Sequence, residues 1–408
     1  MQQADFIQSI GISMRKYFIV FFLVTTAIAY YYTISDVLTE ITTNIATSQF
    51  DKLLIMGVFY AGVGVSTYIG AIVSNKFIDR KNLIHLWLLL AILSSFFSFW
   101  IDGAPVNAIA VISLLWGTSV GLGMPSSMAL FADSSTTEKR GRLGGLLAFV
   151  LDICLFFLAL LLGLLSSAGR VQVFMIWLGF GLVASLLLRK EIGHAQGMKN
   201  PRLLAILRER RFVYYLLPWI MFCLVNSLEA PILRNFFGAG FFEFALIAES
   251  AISSLCALVG GFFADKVGRK IVAIVGFALL GVGYAALGLF SNIHSSWYLY
   301  VAVDGIAWGM FVLLFFMVMW GDLAGDMLKE KYYLLGGLSF LLSWFVQLII
   351  EPYVELISVY AAFSLAAFFL FLAVLPLMYA PETLPEKAMR DRELKQYIEK
   401  AKKKALGK

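Results

Sequence analysis

No lysine or arginine lies in the core of any of the long apolar runs of this 408-residue sequence, and charged residues of both signs make up only 14% of it, against 61% hydrophobic residues. With a mean hydropathy of +0.85, that poverty of charge excludes a soluble globular domain. Cysteine is scarce too. Cys154, Cys223 and Cys256 are an odd number with no Cys-x-x-Cys spacing, which implies neither a disulfide framework nor a zinc site. The three histidines, His85, His194 and His294, stand far apart, so no metal site, cofactor or histidine-based catalytic constellation is expected. Apolar and polar residues do not alternate with period two, which excludes a transmembrane barrel and leaves α-helices that satisfy their own backbone.

What is present is a series of runs long enough to cross a hydrocarbon layer of about 30 Å. They lie at about 17–37, 53–74, 83–101, 107–131, 143–166, 171–188, 213–236, 242–264, 271–290, 297–321, 333–350 and 357–379, which predicts twelve helices. Only Arg15 and Lys16 precede the first run, with Asp5 before them and no small-residue cleavage site, so the start reads as uncleaved. Of the 32 basic residues, 29 fall on alternate loops and the tail, and only Lys52, Arg170 and Arg234 fall on the other side. The positive-inside rule then places both termini in the cytoplasm of a multi-pass cell-membrane protein. The net charge of +6 is a topology signal and gives no support for nucleic-acid binding.

The basic loop from Arg189 to Arg211 divides the runs six and six. Glu138-Lys139 and Leu143-Gly144-Gly145-Leu146 recur as Glu330-Lys331 and Leu335-Gly336-Gly337-Leu338, and Trp116-Gly117 recurs as Trp308-Gly309, all at a spacing of 192 positions. A duplicated six-helix unit follows. The expected organisation is an N-terminal six-helix bundle over 1–190, a cytoplasmic linker over 191–212, a second bundle over 213–380 and a basic tail over 381–408.

The loop after the eighth run, Gly261-Phe262-Phe263-Ala264-Asp265-Lys266-Val267-Gly268-Arg269-Lys270, resembles the G-x-x-x-D-[RK]-x-G-R-[RK] signature of the major facilitator superfamily. The loop after the second run, from Gly70 to Lys81, is similar to a degraded copy in which Asn75 stands near the usual aspartate and Arg80 follows. Pro381-Glu382-Thr383 resembles the tail of the sugar porters in that superfamily. The resemblance implies an all-α fold of twelve transmembrane helices in two parallel repeats, working as a monomer in the lipid bilayer. It implies a cytoplasmic gate at Gly261, Asp265, Gly268, Arg269 and Lys270, with Asn75 and Arg80 as the weaker counterpart. It also implies a cavity lined by helices 1, 4, 7 and 10 and flanked by helices 2, 5, 8 and 11. Helices 3, 6, 9 and 12 would then face lipid, and those four runs contain no charged residue in their cores.

Five carboxylates do lie within or at the edge of the runs, namely Asp36, Asp152, Glu229, Glu249 and Asp304. A carboxylate at the bilayer centre costs about 2.5–3.5 kcal/mol on insertion scales, so such residues read first as functional. At about 1.5 Å rise per residue, Asp152 is near mid-membrane, Glu249 and Asp304 are nearer the outer surface, and Asp36 and Glu229 are near the outer helix ends. The resemblance implies that Asp152 and Glu249 face each other across the two halves. Tyr32 shares a helical face with Asp36, Asn226 with Glu229, and Trp308 with Asp304, while Gln347 continues a polar stripe from Ser339 and Ser343 to Glu351. These acids and polar residues form the expected pathway for solute and protons.

A pathway without a central cation disfavours an anionic solute. Acids without basic partners suit reversible protonation. The reading is therefore a proton-coupled secondary transporter of a small neutral or cationic solute, sugar or amphipathic compound. The alternatives are an uncoupled uniporter and a transport-inactive sensor or partner-binding protein, whose basic stretch 385–408 would bind acidic lipid or protein. An enzyme is not expected.

Overall fold

The computed structural model describes residues 2–45, 48–74, 76–188 and 199–384, with side chains from Met14 onward. Among the described residues, twelve helices are long and apolar enough to cross a membrane: α1 Met14–Asn44, α2 Gln49–Val73, α3 Arg80–Trp100, α4 Val106–Ser134, α5 Arg140–Leu162, α6 Ser167–Leu186, α7 Arg210–Phe237, α8 Ala239–Val267, α9 Arg269–Phe290, α10 His294–Ala324, α11 Lys329–Leu356 and α12 Val359–Tyr379. All twelve expected runs are helices, and no sheet occurs among the described residues.

Within the first six helices α1 packs on α4 and α6, and α3 packs on the same two. In the second six, α7 and α9 both pack on α12, and α9 packs on α10. The halves meet through α5 against α8 and α2 against α11, the four flanking positions that the resemblance implied. Polar side chains hold helices together where apolar contact alone has no advantage over lipid. Thus the buried Tyr30 hydroxyl lies 3.0 Å from the Ser119 hydroxyl and 3.3 Å from that of Ser94, and the Trp116 indole donates to the Ser94 carbonyl at 2.9 Å.

Small residues decide how closely the halves approach. On α5, a Cβ at Gly145 would collide with the Ala257 carbonyl of α8, and one at Gly261 with the Gly141 carbonyl of α5. On α2, Gly57 and Gly64 leave room for Phe345 and Leu342 of α11. The helices do not all wind uniformly. Between Phe311 and Met319, α10 takes π-helical winding over Val312–Val318, a feature no periodicity in the sequence announced.

Part of the expected linker, 191–198, and the tail over 385–408 lie outside the described residues. The remainder of the linker does not hang free: the Leu328 amide donates to the Lys199 carbonyl at 3.0 Å, Lys331 Nζ to Pro201 at 2.6 Å, and the Tyr332 hydroxyl to Glu209 at 3.0 Å. It is docked on the start of α11.

Gly145→Val should therefore lower the thermal stability of the purified protein, by about the 1–3 kcal/mol typical of overpacking. Gly337→Ala, where an added Cβ meets nothing within 4 Å, should leave the unfolding temperature unchanged. Equal effects of the two substitutions would refute the close-approach assignment.

Candidate functional site

At the basic face the halves are joined by two buried ion-pair clusters built on one plan. Arg80, the first residue of α3, donates to Asp133 at the end of α4 at 2.6 Å and to Glu330 at the start of α11 at 2.7 Å. Lys329 pairs with the same Asp133, and the Ser74 hydroxyl donates to Glu330 at 2.9 Å. In the second half Arg269, the first residue of α9, donates to Asp322 at the end of α10 at 3.1 Å and to Asp265 at 3.0 Å. Arg140, the first residue of α5, reaches across to the same Asp322. In both halves the arginine and its aspartate are 53 positions apart.

Asp265 does more than pair with Arg269. Its carboxylate accepts the backbone N–H groups of Gly141 and Arg142 at 2.9 and 3.0 Å, donors that the first turn of α5 leaves without helical partners. Glu382 caps α9 in the same way, accepting from the Arg269 and Lys270 amides at 2.9 and 3.1 Å. Gly268 makes that approach possible. Its φ is +105°, and a Cβ there would strike the Glu382 carboxylate.

One to two turns inward from this charged layer is a small apolar chamber, bounded by α4, α7, α10 and α11. Trp219 is its central ring, stacked on Phe315 at 4.8 Å and 10° and on Phe340 at 6.2 Å and 22°. Its indole N–H is spent on the Gly336 carbonyl at 2.8 Å, and the Tyr333 hydroxyl on Met317 at 2.7 Å. The π-helical segment puts adjacent residues Phe315 and Phe316 both within ring contact of Trp219, at 4.8 and 5.6 Å.

The membrane acids are distributed differently from expectation. Glu249 and Asp304 are side-chain hydrogen-bonding neighbours inside the second half, with the linked hydroxyls of Tyr284 and Tyr300 and the carboxylate of Glu229 close by. The carboxyl partner of Glu249 is thus Asp304 and not Asp152. The cause is the close seating of α10 on α8 at Gly305, where a Cβ would press on Ile252 and the Glu249 carbonyl. Asp152 has Tyr32 of α1 as its ionisable neighbour, and its Oδ2 is buried with no hydrogen-bonding partner among the described residues. Glu229 Oε2 and Gln347 Oε1 are in the same condition.

Asp36 is salt-bridged at an exposed position. Its side chain is 71% exposed and pairs at 2.9 Å with Arg170 of α6, which also holds Glu40 at 2.9 Å. Asn226 is half-buried one turn from Glu229 on α7, and Trp308 packs against Phe222 at 5.0 Å, as part of the aromatic core. Among the expected gate residues, Gly261, Asp265, Arg269 and Arg80 make direct contacts between the halves. Lys270 does not, for its Nζ is given to the Met378 carbonyl of its own half at 2.7 Å. Asn75 lies outside the described residues, and Ser74, four residues after Gly70 as Asp265 is after Gly261, binds the opposite half instead. Sequence reasoning missed Asp133, Asp322 and Arg140. The repeated 53-residue spacing was the signal that would have found the two aspartates.

The chain matches the family model of the Major Facilitator Superfamily over residues 17–331, whereas among curated proteins none matches it. Its fold is similar to that of the proton:xylose symporter XylE bound to 6-bromo-6-deoxy-D-glucose, with a TM-score of 0.68 at 15% identity, covering 91% of this chain and 96% of that one. It is also similar to the human organic anion transporter MFSD10 (TETRAN), with a TM-score of 0.64 at 13% identity, covering 90% and 99%. Twelve apolar helices in two packed sets, tied at one face by a duplicated arginine–aspartate plan, agree with that match, and the chain belongs to the major facilitator superfamily, a family of membrane transporters and not of enzymes.

Proposed function

We propose that this protein is a secondary transporter of the cell membrane that moves a small neutral or cationic solute by alternating access, coupled to protons. The basic face is cytoplasmic on this reading, because 29 of 32 basic residues lie there or in the tail. The bundles 1–190 and 213–380 act as the two moving bodies, 191–212 as their linker and 381–408 as a basic tail, in a chain that works as a monomer.

The observation that carries the reading is the charged layer between the halves. Asp265, Asp322 and Glu330 each accept hydrogen bonds from donors on both sides of the interface or share them with groups that do. Such contacts hold one face closed yet can be exchanged for water when that face opens. A shut cytoplasmic face beside unsatisfied carboxylates deeper in the membrane is the arrangement that alternating access requires. An anionic solute is disfavoured. Of the three basic residues off the basic face, Lys52 pairs with Glu351 and Arg170 with two acids, and Arg234 is exposed at the end of α7.

Asp265→Asn removes a charge from a carboxylate that satisfies two backbone amides and Arg269. In proteoliposomes this variant should slow solute exchange while equilibrium affinity stays within a few fold. A collapse of affinity with normal exchange would move Asp265 from the latch to the binding site.

Proton coupling is assigned to Asp152 and to the Glu249–Asp304 pair, acids within the spans that, like Glu229, have no basic partner among the described residues. Asp152→Asn and Glu249→Gln should retain downhill exchange and lose accumulation driven by a pH gradient. If both variants accumulate solute as the parent does, these acids do not carry the coupling; a parent that accumulates nothing under the pH gradient is a uniporter.

A further inference from the structure

The two seams between the halves close to different depths. Along α2 and α11 contact runs the whole way across the bundle. At the basic face the Ser74 hydroxyl and Arg80 donate to Glu330 at 2.9 and 2.7 Å. Midway, the Tyr31 hydroxyl of α1 donates to the Leu341 carbonyl at 3.1 Å, and Tyr60 packs on Phe345 with ring centroids 5.9 Å apart. At the far face the Gln49 amide donates to the Leu348 carbonyl at 3.3 Å, and Lys52 pairs with Glu351 at 2.6 Å. From Gln49 to Ser74 that is roughly 35 Å of helix.

The seam between α5 and α8 parts halfway. On the face of α5 that meets α8, Gly141, Gly145 and Ala148 are buried, Asp152 and Leu155 are half-buried, and Ala159 is exposed. The facing stripe of α8 has the same gradient. Asp265, Gly261, Ala257 and Ser254 are buried, whereas Ser250, Leu246 and Glu243 farther along that stripe are exposed. A lipid-facing surface would be bare along its whole length, but here the stripe that touches the other half at one end is uncovered at the other. Each uncovered end is tied back to its own half. The Leu162 carbonyl at the end of α5 accepts from Arg170 of α6 at 3.1 Å, and Arg170 in turn holds Asp36 and Glu40 of α1. Phe241 of α8 packs on Phe237 of α7 and Trp297 of α10 at 4.9 and 5.2 Å. Asp152 stands where the seam parts.

We infer that the pathway opens away from the basic face on one side only, as a cleft between α5 and α8, and that the far end of the α2–α11 seam is the pivot, kept in both states. The inference rests on the alternating-access reading and adds the axis of motion. Symmetric rocking of the halves would break Lys52–Glu351 and Gln49–Leu348 whenever the far face opens, yet both contacts are made while the α5–α8 mouth is parted. Movement of that mouth also changes what surrounds Asp152.

The test uses the full-length protein in lipid nanodiscs, carrying Cys154→Ala, Cys223→Ala and Cys256→Ala. Nitroxide pairs are placed at Ala159→Cys with Glu243→Cys and, separately, at Phe50→Cys with Tyr353→Cys, all exposed positions, and distances are read by double electron–electron resonance. Each pair is measured with and without Asp322→Asn, which strips the shared anion from between Arg140 and Arg269 and so favours the state open at the basic face. Asp265→Asn is the milder substitute should Asp322→Asn not fold. The 159–243 distance should shorten by several ångströms in the variant, while the 50–353 distance stays narrow and unchanged. Movement of both pairs would overturn the inference and leave the carrier reading intact, and an unmoved 159–243 pair would overturn it as well. Neither distance reads solute flux, so a loss of transport or of coupling counts against the proposed function and not against the pivot.

Discussion

The carboxylate of Asp322, fully buried between Arg140 of one half and Arg269 of the other, is the interaction on which the closed face depends. Removing one partner of a buried ion pair leaves an uncompensated charge, which typically costs about 3–5 kcal/mol, although the intact pair contributes little net stability over apolar packing. That asymmetry suits a latch. On the proposed latch reading, the cluster sets which helix ends meet without making the meeting irreversible, because water can resolvate each charged group when that face opens. The same logic governs Arg80, whose guanidinium lies between Asp133 and Glu330. Each of these arginines begins a helix, where a cation is disfavoured by the helix dipole, and acids from the opposite half or from the preceding helix offset that cost.

Polarity is layered along the membrane normal as a consequence. Charge is concentrated at the basic face and anchored by close backbone contact of α5 with α8, for which Gly141, Gly145 and Gly261 are required. Beyond it the aromatic chamber excludes competing hydrogen-bonding groups. Farther on, the buried acids occupy sites with tyrosine neighbours and no cations. The glycines and the π-helical segment of α10 belong to one geometric solution. The former let the halves touch, and within the latter Phe315 and Phe316 both meet Trp219.

The aspartate of the loop motif was legible because Asp265 combines a fixed spacing from Gly261 with a following Gly268-Arg269. Its degraded copy is harder to read, because an inserted residue obscures that Ser74, four residues after Gly70, meets the opposite half. Asp36 looked like a membrane acid by its position at the end of an apolar run, but Arg170, 134 positions away, draws it to the rim. The expected confrontation of Asp152 with Glu249 followed from helix order alone, and helix order does not say how closely α10 sits on α8. Gly305 decides that, bringing Asp304 to Glu249 within one half.

By itself the sequence determined the number of crossings, the duplication, the sidedness of basic residues and the loop that marks the family. Each of these follows from local composition and spacing, because a segment in lipid must satisfy its own backbone whatever surrounds it. Tertiary structure alone decided which charges meet, which acids keep unsatisfied oxygens, and that the space next to the closed face is aromatic. Those outcomes depend on the close approach of helices far apart in the chain, where a missing Cβ or one π-helical turn moves side chains by more than a hydrogen bond tolerates.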